Sequence, residues 1–226
     1  MNIRRYAVYY APPAGAFADL ANHWLGWDAE QGLAIAQPEW GLPAAEITRE
    51  PRRYGFHGTI KPPFRLATDQ SVEALQGSVQ ALAASLAPVT LPGLRLKNLD
   101  GFLALVPQGD EGPLRDLSSA VVRGLEPFRA PLNEAEIARR RPESLSPRQR
   151  ELLAEFGYPY VMEEFRFHLT LTDRLAPEIA TEAADILQRQ FAPVLPQPFA
   201  IAELCLFGED SDSGQFHLLH RAPLSG

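Results

Sequence analysis

Two short stretches carry residue types that could do chemistry together. Phe56-His57-Gly58-Thr59-Ile60 and Phe167-His168-Leu169-Thr170-Leu171 each hold a His and a Thr two positions apart, with an aromatic before and an aliphatic after. Side chains alternate faces along a strand. In an extended chain His57, Thr59 and Lys61 therefore share one face, and Phe56, Gly58 and Ile60 the other. In the second copy Arg166, His168, Thr170, Thr172 and Arg174 share a face, backed by Phe165, Phe167, Leu169 and Leu171. Faces this polar must look into water or a cleft, because unpaired polar groups are costly in a core. An imidazole titrates near pH 6.5, so of two brought together one can be neutral and one protonated near neutrality. That is paired acid–base chemistry: one ring takes a proton from an attacking group and the other gives one to a departing oxygen. A single His-x-Thr would mean little. Two copies with matching flanks give the pattern weight.

Elements must hold these strands in place. Residues 4–11 read as a strand stopped by Pro12-Pro13, and 14–25 as a helix with Phe17, Leu20 and Trp24 at helical spacing. Residues 26–51 show no period and read as a long connection. The first motif falls in a strand over 54–66. An amphipathic helix over 71–87 follows, then a hairpin of 93–98 and 101–107 turned at Asp100-Gly101. After a helix over 113–126, the proline-rich segment 127–161 reads as a lid or interlobe connector with helices over 134–141 and 147–156. The second motif falls in a strand over 163–174, followed by a helix over 177–190 and strands over 199–207 and 215–221. Strand, helix and hairpin thus occur twice in the same order, which predicts an α+β fold of two related lobes.

Composition narrows the partners. The 226 residues carry 21 Lys and Arg against 28 Asp and Glu, a formal charge of -7. That disfavours broad electrostatic binding to nucleic acid or anionic membrane, without excluding a local basic pocket. One cysteine, Cys205, excludes an internal disulfide and every multi-cysteine metal framework, and fits a reducing, cytoplasmic setting. No apolar run approaches a membrane span, and the start has no signal-peptide pattern. Neither Gly-x-x-x-x-Gly-Lys-Ser/Thr nor Gly-x-Gly-x-x-Gly occurs, so a P-loop kinase or a dinucleotide enzyme has no support. His217 and His220 lie three apart on a strand and face opposite sides, so they read as structural or surface residues.

The doubled motif resembles the signature of the 2H phosphoesterase superfamily. The longer flanks, Tyr54-Gly55-Phe56-His57-Gly58-Thr59-Ile60-Lys61-Pro62-Pro63-Phe64 and Gly157-Tyr158-Pro159-Tyr160 running on through Thr172, resemble its branch from bacterial phosphonate-utilisation operons. The resemblance spans nearly the whole chain. It implies a bilobal fold with antiparallel sheets around a central cleft and helices outside, one His-x-Thr from each lobe facing the other. The motif lobes would be about 54–126 and 163–226, with an N-terminal strand–helix at 1–51 and a helical segment between lobes at 127–161.

It further implies metal-independent, cofactor-free hydrolysis of a small cyclic phosphodiester, a phosphorylated sugar or nucleotide, with His57 and His168 as the catalytic pair. Two other readings stay open: an RNA 2′,3′-cyclic or 2′–5′ phosphodiesterase or ligase-like enzyme, and a non-catalytic phosphate-ligand binding protein. Thr59 and Thr170 are candidates to hold the phosphate oxygens. Lys61 and Arg166 are candidates to add positive charge there. Tyr54, Tyr158, Tyr160 and Arg129 are candidate substrate contacts. Arg139 to Arg141 read as a solvated helix face in preference to a grip on a second phosphate.

Overall fold

The computed structural model describes residues 1–226. The chain begins with β1 (Ile3–Tyr10) and α1 (Ala16–Leu25). The stretch read as an open connection holds a small hairpin, β2 (Trp27–Asp28) and β3 (Leu33–Ala34), and two short helices, α2 (Ala44–Ile47) and α3 (Arg49–Tyr54). The first repeat follows as β4 (Gly58–Phe64), α4 (Val72–Ala84), β5 (Val89–Leu91), β6 (Leu94–Leu99) and β7 (Phe102–Pro107). Between the repeats lie α5 (Gly112–Gly124), α6 (Glu134–Arg139) and α7 (Pro147–Phe156). The second repeat is β8 (Leu169–Thr170), α8 (Pro177–Phe191), β9 (Phe199–Ile201), β10 (Glu203–Asp210) and β11 (Phe216–Pro223). No helix is long and apolar enough to cross a membrane.

The fold is α+β and its sheets are antiparallel. One seven-stranded sheet runs β11-β10-β1-β4-β8-β7-β6. Its two halves meet at β4 and β8, the motif strands, through the single pair Gly58 and Leu169. The repeat seen in the sequence is present, but the lobes are not the contiguous spans 54–126 and 163–226. β4 of the first repeat lies on the side of β10 and β11 from the second, and β8 of the second on the side of β7 and β6 from the first. Each helix follows its own motif strand: α4 packs on β10 and β11, and α8 on β6 and β7. The two repeats cross where β5 pairs with β9. N-terminal β1 is not a separate unit either, since it fills the place between β10 and β4.

Local sequence explains the elements that hold. Ser71 caps α4 by accepting from the Ala74 N–H at 3.1 Å. Ser146 and Gln149 form a capping box at the start of α7, with Pro147 in its first turn, and Gly157 ends it in the left-handed conformation. The strand expected over 163–174 is shortened to two residues. Its burial still alternates from Arg166 to Thr170, so the chain is extended there. It lacks a continuous ladder because it bridges two half-sheets, touching β4 at one residue and β7 at two.

Candidate active site

The register at the seam assembles the motifs. With Gly58 opposite Leu169 in antiparallel strands, one step either way sets His57 against Thr170 and Thr59 against His168. Leu169 belongs to the hydrophobic core, so the four motif side chains share the opposite face. The two imidazoles occupy a diagonal, where Cβ atoms stand about 7–8 Å apart. The motifs are thus neighbours where the two half-sheets meet.

Each ring is held the same way. His57 Nδ1 lies 2.9 Å from the Gly55 carbonyl, and His168 Nδ1 lies 2.9 Å from the Arg166 carbonyl. A carbonyl only accepts, so each Nδ1 carries hydrogen and each Nε2 is left without one. The Thr59 hydroxyl stands 3.4 Å from His57 Nε2. Burial pushes the His57 pKa down to about 4, with the charge of His168 lowering it further against the Gly55 bond. Burial also lowers His168, opposed by its bond to the Arg166 carbonyl. Both rings therefore favour the neutral form in the free protein, His57 more so than an ordinary imidazole.

A cleft of about 620 Å³ opens over the seam. Tyr9, His57 and Thr59 line it from one half-sheet, and Phe102 and Thr170 from the other. Tyr54 and Tyr158 line it as expected. Tyr54 closes α3 and is not part of a strand; its ring stacks on Phe216 at 4.9 Å and lies 5.6 Å from His57. Tyr160 packs edge-on against Tyr158 but is 47% exposed and does not line the cleft. The Arg166 side chain is exposed and also outside it; that residue contributes its carbonyl to His168.

Lys61 departs furthest from expectation. It is buried, donating to the Val122 carbonyl and to Glu126, both at 3.1 Å. The cause is a bulge in β4. Tyr9 opposes Thr59, yet Val8 opposes Lys61, so one extra residue enters β4 between them. Alternation breaks, and Lys61 falls on the core side with Val8. Arg129 is likewise occupied, donating to Glu126 at 2.7 Å and to the Ala130 and Glu155 carbonyls at 3.2 Å; it does not line the cleft. Glu126 thus serves two cations at once. Glu126→Gln is expected to cost about 3 kcal/mol, the lower end for stranding a buried charge, read as a lower urea midpoint with an unchanged slope.

Reading the sequence alone missed Tyr9. Its ring is fully buried and its centre lies 4.0 Å from that of His57, tilted by 32°. The signal was there in the alternation of Ala7, Tyr9 and Ala11 against Tyr6, Val8 and Tyr10, but nothing local says that β1 lies beside β4. Phe102, 5.7 Å from His168, plays the corresponding part in the other half.

The two His-x-Thr motifs lie on adjoining antiparallel strands; His57, Thr59 and Thr170 line one cleft, and His168, on the same face, is not among its lining residues. The chain belongs to the family described as "Protein of unknown function (DUF1045)", whose model matches residues 59–217. It is 35% identical over its whole length to a ribose 1,5-bisphosphate phosphokinase PhnN of Janthinobacterium sp. (strain Marseille), covering 52% of that protein. It is 36% identical over 95% of its length to the protein of the same name from Laribacter hongkongensis, covering 50%. The chain therefore spans about half the length of the curated relatives it matches. Among solved structures, TT0787 of Thermus thermophilus aligns at TM-score 0.48 and 18% identity over 98% of both chains. E. coli LigT complexed with ATP aligns at TM-score 0.44 and 12% identity over 100% of both.

Proposed function

We propose that this protein is a metal-independent phosphoesterase that hydrolyses a small cyclic phosphodiester. The observation that carries the reading is the four-cornered arrangement of His57, Thr59, His168 and Thr170, with both Nδ1 atoms tied to carbonyls and both Nε2 atoms left without hydrogen. His57, the ring with the lower proton affinity, takes the proton from the attacking water. The water oxygen bonds to phosphorus, the P–O ester bond opposite it breaks, and His168 gives its proton to the departing oxygen. The product is a phosphomonoester. Thr59 and Thr170 hydroxyls donate to the equatorial oxygens as charge builds on them.

The name of the relatives supports a phosphorylated pentose as the substrate class, and the resemblance to the phosphonate-operon branch supports a place in phosphonate breakdown. A P-loop kinase needs a Gly-x-x-x-x-Gly-Lys-Ser/Thr loop, which this chain lacks, so we do not extend the kinase activity to it. Phosphorus NMR in chelator tests the reading, with ribose 1,2-cyclic 5-phosphate, nucleoside 2′,3′-cyclic phosphates and a 2′–5′ dinucleotide as substrates. Turnover of a cyclic member supports it. Turnover of the 2′–5′ dinucleotide alone moves the assignment to RNA ends, and inactivity restored by a divalent metal overturns it.

The acid–base assignment also fixes a pH dependence. The base must be neutral and the acid protonated, and kcat/KM reports the free protein. His57 loses its neutral form only toward pH 4, while His168 loses its proton below the ordinary 6.5. The kcat/KM profile is expected to be a bell whose maximum lies on the acid side of 6.5. A maximum above pH 7 contradicts the assignment.

A further inference from the structure

A second cavity, about 120 Å³, opens beside the cleft, and Arg5, Pro62, Pro63 and Arg140 line both. Six of its 15 lining residues are cationic: Arg5, Lys61, Arg65, Arg129, Arg139 and Arg140. The one lining carboxylate is Glu136. In a chain of net charge -7 this is a local reversal of sign. The carboxylates behind the wall do not balance it. Glu126 is shared by Lys61 and Arg129, and buried Glu209 by Arg4, Arg5 and Arg53. Glu136 is taken by Arg65. Arg140 has an aromatic partner instead, lying 4.7 Å from the Tyr158 ring centre. Arg139 donates to the Ala135 carbonyl of its own helix at 3.3 Å.

The cations are also placed and not merely abundant. Asn133 and Glu136 form a capping box at the start of α6. Arg65, just past β4, binds Glu136 at 2.9 Å and the Pro131 carbonyl at 2.6 Å. Together these hold the far end of α6, with Arg139 and Arg140, at the cavity wall. The run read from sequence as a solvated face is therefore split, with only Arg139 and Arg140 turned to the cavity.

We propose that this cavity binds a phosphomonoester dianion as a second subsite of the catalytic cleft. A surplus of positive charge fixed around a small void favours an anion strongly. Arginine is suited to phosphate because its planar fork can donate in pairs. The void holds about four waters' worth of liquid volume, room for one phosphoryl group. Along β4, Thr59 and Pro62 are three residues apart, at most about 10 Å at full strand rise, and less across the bulge between them. That is the reach of one sugar or nucleotide phosphorylated at its far end, and it rests on the phosphodiesterase reading for the near end. The same dianion could be carried on the substrate or bind free beside it, and the test separates the two.

Binding is measured by calorimetry on His168→Ala protein, with adenosine 2′,3′-cyclic phosphate and its 5′-phosphorylated counterpart as probes. The 5′-phosphate is expected to tighten binding about tenfold or more, the scale of one charge-assisted hydrogen bond. Arg139→Gln with Arg140→Gln should bring that ratio to about one. Arg139→Lys with Arg140→Lys, which keeps the charge, should retain most of it and covers the case in which the Gln pair fails to fold. Inorganic phosphate that weakens only the 5′-phosphorylated probe assigns the group to the substrate. Inorganic phosphate that tightens the unphosphorylated probe assigns it to a free anion. Equal affinity for both probes, with no effect of phosphate, overturns the subsite. Failure of wild-type protein to turn over either probe counts against the phosphodiesterase reading and leaves the binding ratio to judge the subsite.

Discussion

Alanine in place of His57 or His168 should lower kcat by about 10²–10⁴-fold, the range for losing a positioned acid or base. Both rings sit half-buried on the cleft face and bond only to backbone carbonyls and a neighbouring hydroxyl, so the fold should survive either change. The two losses should not multiply. Base and acid act in one displacement, and removing either leaves a step that the other cannot complete. The double variant is therefore expected to fall only slightly below the single ones. Single-turnover rates across pH give the sharper reading. His57→Ala should lose the acid limb of the profile, and His168→Ala the alkaline limb. Full activity in either variant, or an unchanged profile, removes these residues from the mechanism.

The second large effect belongs to a residue with no side chain. Gly58 pairs with Leu169 at the only point where the two half-sheets touch through β4 and β8. A Cβ placed on it would collide with the Phe167 ring. Phe167 precedes His168, so Gly58→Ala must push the ring, and with it the imidazole proposed as the acid, out of register. Overpacking of this kind costs about 1–3 kcal/mol. A displacement near 1 Å at a reacting group costs on the order of 10²-fold in rate, so activity should suffer more than stability does. Phe167→Leu alone should be mild, and the pair Gly58→Ala with Phe167→Leu should recover much of the loss in kcat. The cycle is read as kcat and urea midpoint for all four proteins. A full loss that Phe167→Leu does not relieve would mean that Gly58 serves another purpose.

The motif face was legible because its signal is local. Period-two alternation around two identical short motifs survives whatever the strands pair with, and His57, Thr59, His168 and Thr170 end on one face as that alternation requires. Lys61 obeyed the same rule on paper and failed it, because a bulge is set by the partner strand: only the pairing of β1 with β4 inserts the extra residue. Tyr9 was missed for the matching reason, since strand adjacency is a tertiary fact. Arg129 and Arg140 show the same limit for charge. Both are arginines with charge to offer, yet Arg129 is spent on Glu126, only three residues away, and on carbonyls, while Arg140 lies over the Tyr158 ring, a contact set by tertiary packing. The repeat was read correctly as an order of elements and wrongly as two contiguous lobes, because order along a chain does not say which hairpin a strand joins.

That exchange of hairpins bears on how the molecule comes into being. β4 and β1 cannot complete their half of the sheet until β10 and β11 exist, and those lie much further along the chain. During synthesis the first motif strand waits beside an unpaired edge through more than a hundred residues of chain. Closing pairs of such long sequence separation carries a large loop entropy before any contact rewards it, which places this fold among the slow and cooperative folders. Neither repeat has a partner of its own to fold against, so the motif face can form only when both repeats are in place.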